Sequence, residues 1–237
     1  MTGQKIIYTA ISRNKDHLKK IVNREQDITY LAYLDDETLQ QTPTDILESY
    51  DKILPLNDGE YRNNDVMRPK YHKLHPPSSD VNVLTLWVDG SISIKPDVSM
   101  SEFIHEHLIY QDMALFEHPL RKCLYLEAAE CSILDKDDKS IIGEQVLGYL
   151  EEKMPRAYGL AECTIILRRT TMRTHYLNTI WWKEICNKSF RDQISLPYCL
   201  WKSNLTYTKI PGTVQDKNRH VAFKGNKWFN FIDHEIS

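Results

Sequence analysis

The run TLWVDGSISI at 85–94 is an apolar stretch that stops at Asp89 and Gly90 before a strict alternation resumes. Asp-Gly between alternating apolar runs is a strong hairpin signal, because both central positions of a type I′ turn need positive φ. The competing chemistry is ligand binding: a carboxylate at the carboxyl end of a buried strand stands where open α/β sheets hold nucleotides and metal ions. The run itself does not choose between them.

Other residues present similar pairs of readings. Arg68, Lys70 and Lys73 gather in NNDVMRPKYHKLH. On a helix, Lys70 and Lys73 are neighbours at i,i+3, whereas Arg68 and Lys73 do not share a face well. The set is either a solvated basic face or an anion site. In SFRDQ at 189–193, Ser189 and Asp192 have the spacing of a capping box that starts the helix DQISLPYCLWK. The same helix amino terminus offers unpaired N–H groups to an anion or to hydroxyls. HPLR at 118–121 sets His118 and Arg121 on a loop after a short strand. Glu162, just before CTIIL, either reaches a substrate or pairs with Arg168 or Arg169. Trp181 and Trp182 are adjacent on a helix and cannot face one way, and core burial of both is the simpler reading. His105 and His107, two apart, make a poor metal pair, and His220 in NRHVAFKGN reads by itself as an exposed histidine.

The elements that must position these groups alternate in type. KIIYTAI (5–11), DITYLAYLDD (27–36), YDKILPL, VNVLTLWVDG, DMALFEHP and AECTIILRR (161–169) read as strands. NNDVMRPKYHKLH, SEFIHEHLIYQ, the pair RKCLYLEAAECSIL and SIIGEQVLGYLEEK, LNTIWWKEICNKS, and FRDQISLPYCLWKSN read as helices, the last broken or begun near Pro197. Thr42-Pro-Thr-Asp45 has capping-box spacing for a further short helix. Strands alternating with helices imply a Rossmann-type, mostly parallel sheet in a three-layer α/β/α sandwich, with its crevice at the strands' carboxyl ends. Asp35, Asp36 and Asp89 all fall at such ends, which favours the ligand reading of Asp89.

With 237 residues, 27% charged and 41% hydrophobic, the chain suits one compact α/β domain and no disordered class. Five cysteines without Cys-x-x-Cys spacing favour neither a disulfide framework nor a zinc ribbon, and a reducing compartment fits them. No stretch is apolar enough for a transmembrane segment, and the amino terminus lacks an export signal, so a cytoplasmic location is expected. A net charge of −3 argues against a general nucleic-acid partner, although five Lys/Arg and His220 gather between Lys209 and Lys227.

The ordered blocks IYTAI, RPKYHKLHPP, LWVDGSISI, FEHPLRKCLYLEAAE, EQVLGYLEEKMPRAYGLAE, IILRR and WWKEICNKSFRDQISLPYCLWK span nearly the whole chain. Together they resemble a glycosyltransferase-like family that includes plant proteins of mucilage-polysaccharide synthesis and pollen-tube turgor control. The resemblance implies a GT-A-like fold in a single domain, residues 1–237, with a nucleotide-binding half at 1–95, an acceptor or sugar half at 96–208 and a basic tail at 209–237. It implies transfer of a sugar from a nucleoside diphosphate donor, UDP-linked, to a hydroxyl of a glycan or other acceptor, as in polysaccharide biosynthesis.

On that resemblance Tyr8, Thr9 and Asp35 border the base, Asp89 meets the ribose, and Arg68 and Lys73 take the diphosphate. Asp192 binds the transferred sugar or accepts the acceptor's proton, with Arg191, Gln193 and His118 beside it. The broader GT-A pattern ends its apolar strand in Asp-x-Asp, and here Ser91 replaces the second Asp. A hydroxyl is a much poorer ligand for a hard cation than a carboxylate. A Mn²⁺ or Mg²⁺ ion is therefore either held by Asp89 and His220, held through water, or replaced by basic side chains. Two other functions stay open at this level: a non-catalytic nucleotide-sugar or sugar-binding module, and a glycosyltransferase that modifies nucleic acid.

Overall fold

The computed structural model describes residues 3–56, 64–214 and 225–232. Strand β1 (Lys5–Ile11) pairs in parallel with β2 (Ile28–Leu34) from Lys5↔Ile28 to Ile11↔Leu34. Both are buried on both faces, as central parallel strands are. Helix α1 (Asp36–Gln41) and the short α2 (Thr44–Leu47) lead to β3 (Lys52–Pro55), parallel to β2. Helix α3 (Met67–Leu74) then returns the chain to β4 (Leu84–Val88), parallel to β1.

After β5 (Ile92–Ile94) and α4 (Met100–His107) comes β6 (Met113–Glu117), followed by the helical pair α5 (Leu124–Ile133) and α6 (Lys139–Glu151). Strand β7 (Ala161–Arg169) runs antiparallel between β4 and β6. Helices α7 (Met172–Asn187) and α8 (Asp192–Ser203) precede β8 (Thr208–Ile210), which adds in parallel to β6. The described residues thus form a seven-stranded sheet ordered β3-β2-β1-β4-β7-β6-β8, mostly parallel, with one reversed strand.

Apolar residues cover both faces of this sheet. One layer joins Trp87, Leu115 and Ile166 to residues of α3, α5, α6, α7 and α8, including Leu74, Ala128, Tyr149, Trp181 and Leu196. The other joins Leu86, Ala114 and Ile165 to α4 and to Trp228 and Phe229 near the carboxyl end. The expected α/β/α sandwich is therefore present.

Several local expectations are corrected. Asp35 and Asp36 do not end β2 as paired acids. Asp35 caps α1, its Oδ1 accepting from the Thr38 amide at 3.0 Å, and Asp36 lies in that helix's first turn. Thr42 does not cap α2, whose first turn follows Pro43 with no side-chain cap. Helix α8 runs unbroken through Pro197. The proline forfeits only its bond to the carbonyl four residues back, and the buried Ile194, Leu196, Tyr198 and Leu200 hold the helix in place.

The Asp89–Gly90 hairpin does not form. The segment is a turn, with the Ile92 amide donating to the Asp89 carbonyl at 2.9 Å, but neither Asp89 nor Gly90 has positive φ. Both edges of β4 are already taken, by β1 and β7, so β5 leaves the sheet and pairs with β9 (Phe229–Phe231) in a separate two-stranded ribbon. Gly90 is needed for closeness: a Cβ there would lie 2.9 Å from Asp16 Cβ and Oδ2.

Candidate functional site

The turn after β4 borders two clefts and a narrower pocket lined by Tyr8 and Thr9 among others. The larger, about 560 Å³, is lined by Asp89, Ser91, His118, Arg121, Glu162, Arg191, Asp192 and Gln193 among others. The smaller, about 190 Å³, lies toward the end of β1 and the loop that follows, with Ser12, Lys15, Asp16 and Asp65. Lys70, Lys73 and Asp89 border both. Asp89 is therefore at a turn and at a cleft at once, and the two sequence readings of TLWVDGSISI merge.

Helix α3 delivers the lysines and α8 the acid they meet. Lys73 Nζ lies 2.5 Å and Lys70 Nζ 3.2 Å from Asp192 Oδ2, so the i,i+3 pair on α3 closes on one carboxylate. The side chains of Lys73 and Asp192 are only 5% and 8% exposed. Burial alone would raise the Asp192 pKa, but Lys70, Lys73 and Arg191 outweigh it and hold the carboxyl far below the ordinary range. Burial also opposes the Lys73 ammonium, yet Asp192, together with Cys163 and Asp89, raises its pKa. Lys70 goes the other way, lowered by burial and by the neighbouring Lys73 and Arg191. An acid so firmly anionic is a strong hydrogen-bond acceptor and a poor proton acceptor.

The capping role expected of Ser189 is not realised. Its hydroxyl donates to Asp137 Oδ2 at 2.6 Å, and α8 has no side-chain cap. Asp192 is thereby left to the lysines, with Gln193 beside it in the cleft. Arg191 Nη2 approaches Gln193 Oε1 at 3.5 Å.

His118 also lines the larger cleft, but its ring is committed. Nδ1 accepts from the Leu120 and Arg121 amides at 3.2 and 3.1 Å, which places the ring proton on Nε2, 3.7 Å from Glu127 Oε2. Burial pushes its pKa down to about 4. Arg121 Nε donates to the same Glu127 oxygen at 2.6 Å.

Tyr8 and Thr9 lie off both clefts but line a narrower pocket that Asp89 and Gly90 also border. Tyr8 is 1% exposed and its hydroxyl donates to the Lys73 carbonyl at 3.2 Å, so it seats α3 rather than bordering the larger cleft. Arg168, equally buried, supports the same carbonyl at 2.7 Å and holds Asn178 Oδ1 at 2.9 Å. Thr9 is buried with an unpartnered hydroxyl. Arg68 sits 3.5 Å from Asp35 and 4.0 Å from Asp65, and its side chain is 9% exposed; it lines neither cleft. Lys70, the i,i+3 neighbour of Lys73, borders both clefts with it, whereas Arg68, expected with Lys73 at the diphosphate, borders neither. Trp181 is core, and Trp182 packs edge-on against Tyr71 and His75.

A divalent ion needs several hard ligands around one point. Asp89 Oδ1 is engaged by the Ser91 hydroxyl at 3.3 Å, and no group of three His, Cys, Asp or Glu among the described residues could hold a metal. His220 lies outside the described residues. The described side chains therefore do not make a cation site by themselves.

Sequence reasoning placed Glu162 beside an apolar strand but expected it either at a substrate or against Arg168 or Arg169. In the structure it lines the larger cleft, 2% exposed, and both oxygens are held from the segment after β8: Oε1 by the Thr213 hydroxyl and Oε2 by the Val214 amide at 3.2 Å. No short-range pattern links 162 to 213, so that contact had no sequence signal.

No helix among the described residues is long and apolar enough to cross a membrane. Among solved structures, the chain is similar to the galactosyltransferase LgtC in complex with donor and acceptor sugar analogs, at TM-score 0.50 and 10% identity over 82% of this chain and 70% of that one. It is similar at TM-score 0.50 and 8% identity to the apo form of mouse xyloside xylosyltransferase 1, over 99% of both chains. At these identities the likeness is one of fold, and the fold is the GT-A-like one expected. In sequence, the chain is 28% identical over 153 residues to the probable hexosyltransferase MUCI70 of Arabidopsis thaliana, covering 60% of this chain and 25% of that protein. The chain thus spans about a quarter of that relative's length. Residues 2–222 match a family profile as a whole, and on that match the chain belongs to the TOD1/MUCI70 glycosyltransferase-like domain family.

Proposed function

We propose that this domain transfers a sugar from a nucleoside diphosphate donor, UDP-linked, to a hydroxyl of a glycan or similar acceptor. The observation that carries this reading is the convergence of Lys70, Lys73 and Arg191 on Asp192 at the cleft that Asp89 borders. Three cations against Asp192 and the neighbouring Asp89 leave a local surplus of positive charge. Breaking the bond between an anomeric carbon and a diphosphate leaves negative charge on the departing phosphate, and fixed cations in a water-poor site stabilise it.

The roles follow from placement. The smaller cleft at the end of β1 takes the nucleoside, with Asp89 toward the ribose. Lys70 and Lys73, which border both clefts, take the diphosphate. Asp192 and Gln193 accept and donate hydrogen bonds to the hydroxyls of the transferred sugar. His118 and Arg121, which line the larger cleft with Glu127, shape the acceptor side. No step in this scheme runs through a cation, because the described residues do not assemble a site for one.

The test is a thermal-shift and turnover screen with UDP, UDP-glucose, UDP-galactose and UDP-xylose, with and without Mn²⁺ and Mg²⁺, reading UDP release with and without glycoside acceptors. Stabilisation by UDP together with sugar-dependent release supports the reading. Donor binding with no turnover on any acceptor makes the domain a binding module, the function that Ser91 in place of a second Asp favours. Absence of binding by every nucleotide overturns both.

A further inference from the structure

The proposed transfer needs a group to take the acceptor's proton, and Asp192, the acid expected to do so, is unfit for it. Its oxygen is committed to two lysines and its charge is held by three cations. His118 is unfit for a different reason, since its accepting nitrogen is used by two backbone amides. Asp89 is held in its own turn by Ser91 and faces the lysine side.

Resting on the proposed glycosyl transfer, we infer that Glu162 is the catalytic base for the acceptor: its carboxylate takes the proton from the attacking hydroxyl at the floor of the larger cleft. The O–H bond of the acceptor breaks, and its proton goes to Glu162. The acceptor oxygen bonds to the anomeric carbon. The bond from that carbon to the diphosphate breaks, with the electron pair leaving on the phosphate beside Lys70 and Lys73.

Geometry sets Glu162 apart from the other acids of the cleft. It stands at the start of β7, in the same cleft as Asp192 and Asp89, and is 2% exposed. Among the described residues no lysine, arginine or histidine pairs with it; its partners are the Thr213 hydroxyl and the Val214 amide. Each oxygen carries one of these bonds and keeps accepting capacity for a second donor. The charged groups sharing the cleft are Lys70 and Lys73 on α3, Asp89 after β4, His118 and Arg121 after β6, Glu127 and Glu130 on α5, Lys136 between α5 and α6, and Arg191 and Asp192 at α8. None forms an ion pair with it. Burial raises its pKa to about 7, partly opposed by the two hydrogen bonds. That is the range in which a carboxylate both ionises and binds a proton well near neutral pH.

The experiment uses the whole chain with the UDP-sugar and glycoside pair that turns over in the screen above. In the wild type, kcat/KM rises with pH through about 7 and levels off. Glu162→Gln binds UDP as the wild type does, loses turnover by about 100-fold or more, and loses that pH step; Glu162→Asp restores part of it. Thr213→Val removes a donor that favours the charged carboxylate, so it moves the midpoint to higher pH while keeping turnover at alkaline pH. Infrared difference spectra of wild type against Glu162→Gln show a protonated-carboxyl band that disappears across the same pH range without any substrate.

Turnover in Glu162→Gln within a few-fold of wild type overturns the inference and leaves the transfer reading standing. So does a midpoint unmoved by Thr213→Val. No nucleotide binding or turnover by the wild type overturns the transfer reading and the inference with it.

Discussion

Replacing Asp192 by Asn removes one charge and leaves three. Lys73 and Asp192 are 4% and 5% exposed, so water cannot take over when the carboxylate goes. Breaking a buried ion pair by removing one partner costs about 3–5 kcal/mol, because the other charge stays buried and uncompensated. Lys70, at 3.2 Å from the same oxygen, adds to that cost, although its 15% exposed side chain screens its part. The expectation is a loss of about 3 kcal/mol or more for Asp192→Asn at pH 7. Against the roughly 5–15 kcal/mol of an ordinary domain, the variant still folds but is visibly weakened.

Urea unfolding at pH 7 of wild type, Asp192→Asn, Lys73→Met and the double variant measures this directly. Removing both partners relieves the uncompensated ammonium, so the double variant is more stable than Asp192→Asn alone. The pH dependence has a definite sign. The folded pKa of Asp192 lies below its unfolded value, so its stabilisation is fully present above the unfolded value of about 4 and is lost as pH falls below it. The gap between wild type and Asp192→Asn therefore narrows as pH falls from about 4. A difference under about 1 kcal/mol at pH 7, or a gap that does not narrow in acid, refutes the assignment of Lys73–Asp192 as a buried, tightly coupled pair.

Other consequences are quickly tested. Asp89→Asn keeps the fold, since its turn rests on backbone bonds, and lowers UDP-sugar turnover by about 100-fold or more; near-wild-type rates remove Asp89 from the site. Gly90→Ala drives a methyl group to within 2.9 Å of Asp16 and costs about 1–3 kcal/mol in unfolding experiments; a neutral outcome means that the loop holding Asp16 moves freely. Ser91→Asp sets two carboxylates side by side, where Ser91 Oγ and Asp89 Oδ1 are now 3.3 Å apart. The pair repels in the absence of a cation, so Mn²⁺ raises the melting temperature of this variant more than that of the wild type. An equal response in the two proteins refutes the placement of Ser91 at the position of a second metal ligand.

Much of the architecture was legible in the sequence because its signals are local. KIIYTAI and AECTIILRR match β1 and β7 at both ends, since an unbroken apolar run bounded by polar residues has little freedom to shift. The lysine pair on α3 was legible as an i,i+3 spacing, and its convergence on one carboxylate is that spacing realised. The failures are equally informative. Ser189 has a cap's spacing, but Asp137, fifty-two residues away, takes its hydroxyl. Asp-Gly after β4 has a hairpin's residues, but β1 and β7 leave that strand no free edge.

The order of residue types thus determined by itself the α/β class, most of the elements and the presence of Asp89 and Asp192 at element ends. Periodicity, capping and turn chemistry act within a few residues, and the chain carries them wherever it folds. Only the tertiary structure decided which charges meet: that α3 lays Lys70 and Lys73 on Asp192, that Arg68 turns to Asp35 instead, and that Glu162 is held by Thr213 and Val214 with no ion pair to a cation among the described residues. Those outcomes depend on the order of strands in the sheet and on contacts across about thirty to a hundred and twenty residues. Electrostatic energy depends on distance in space, and separation along the chain does not encode it.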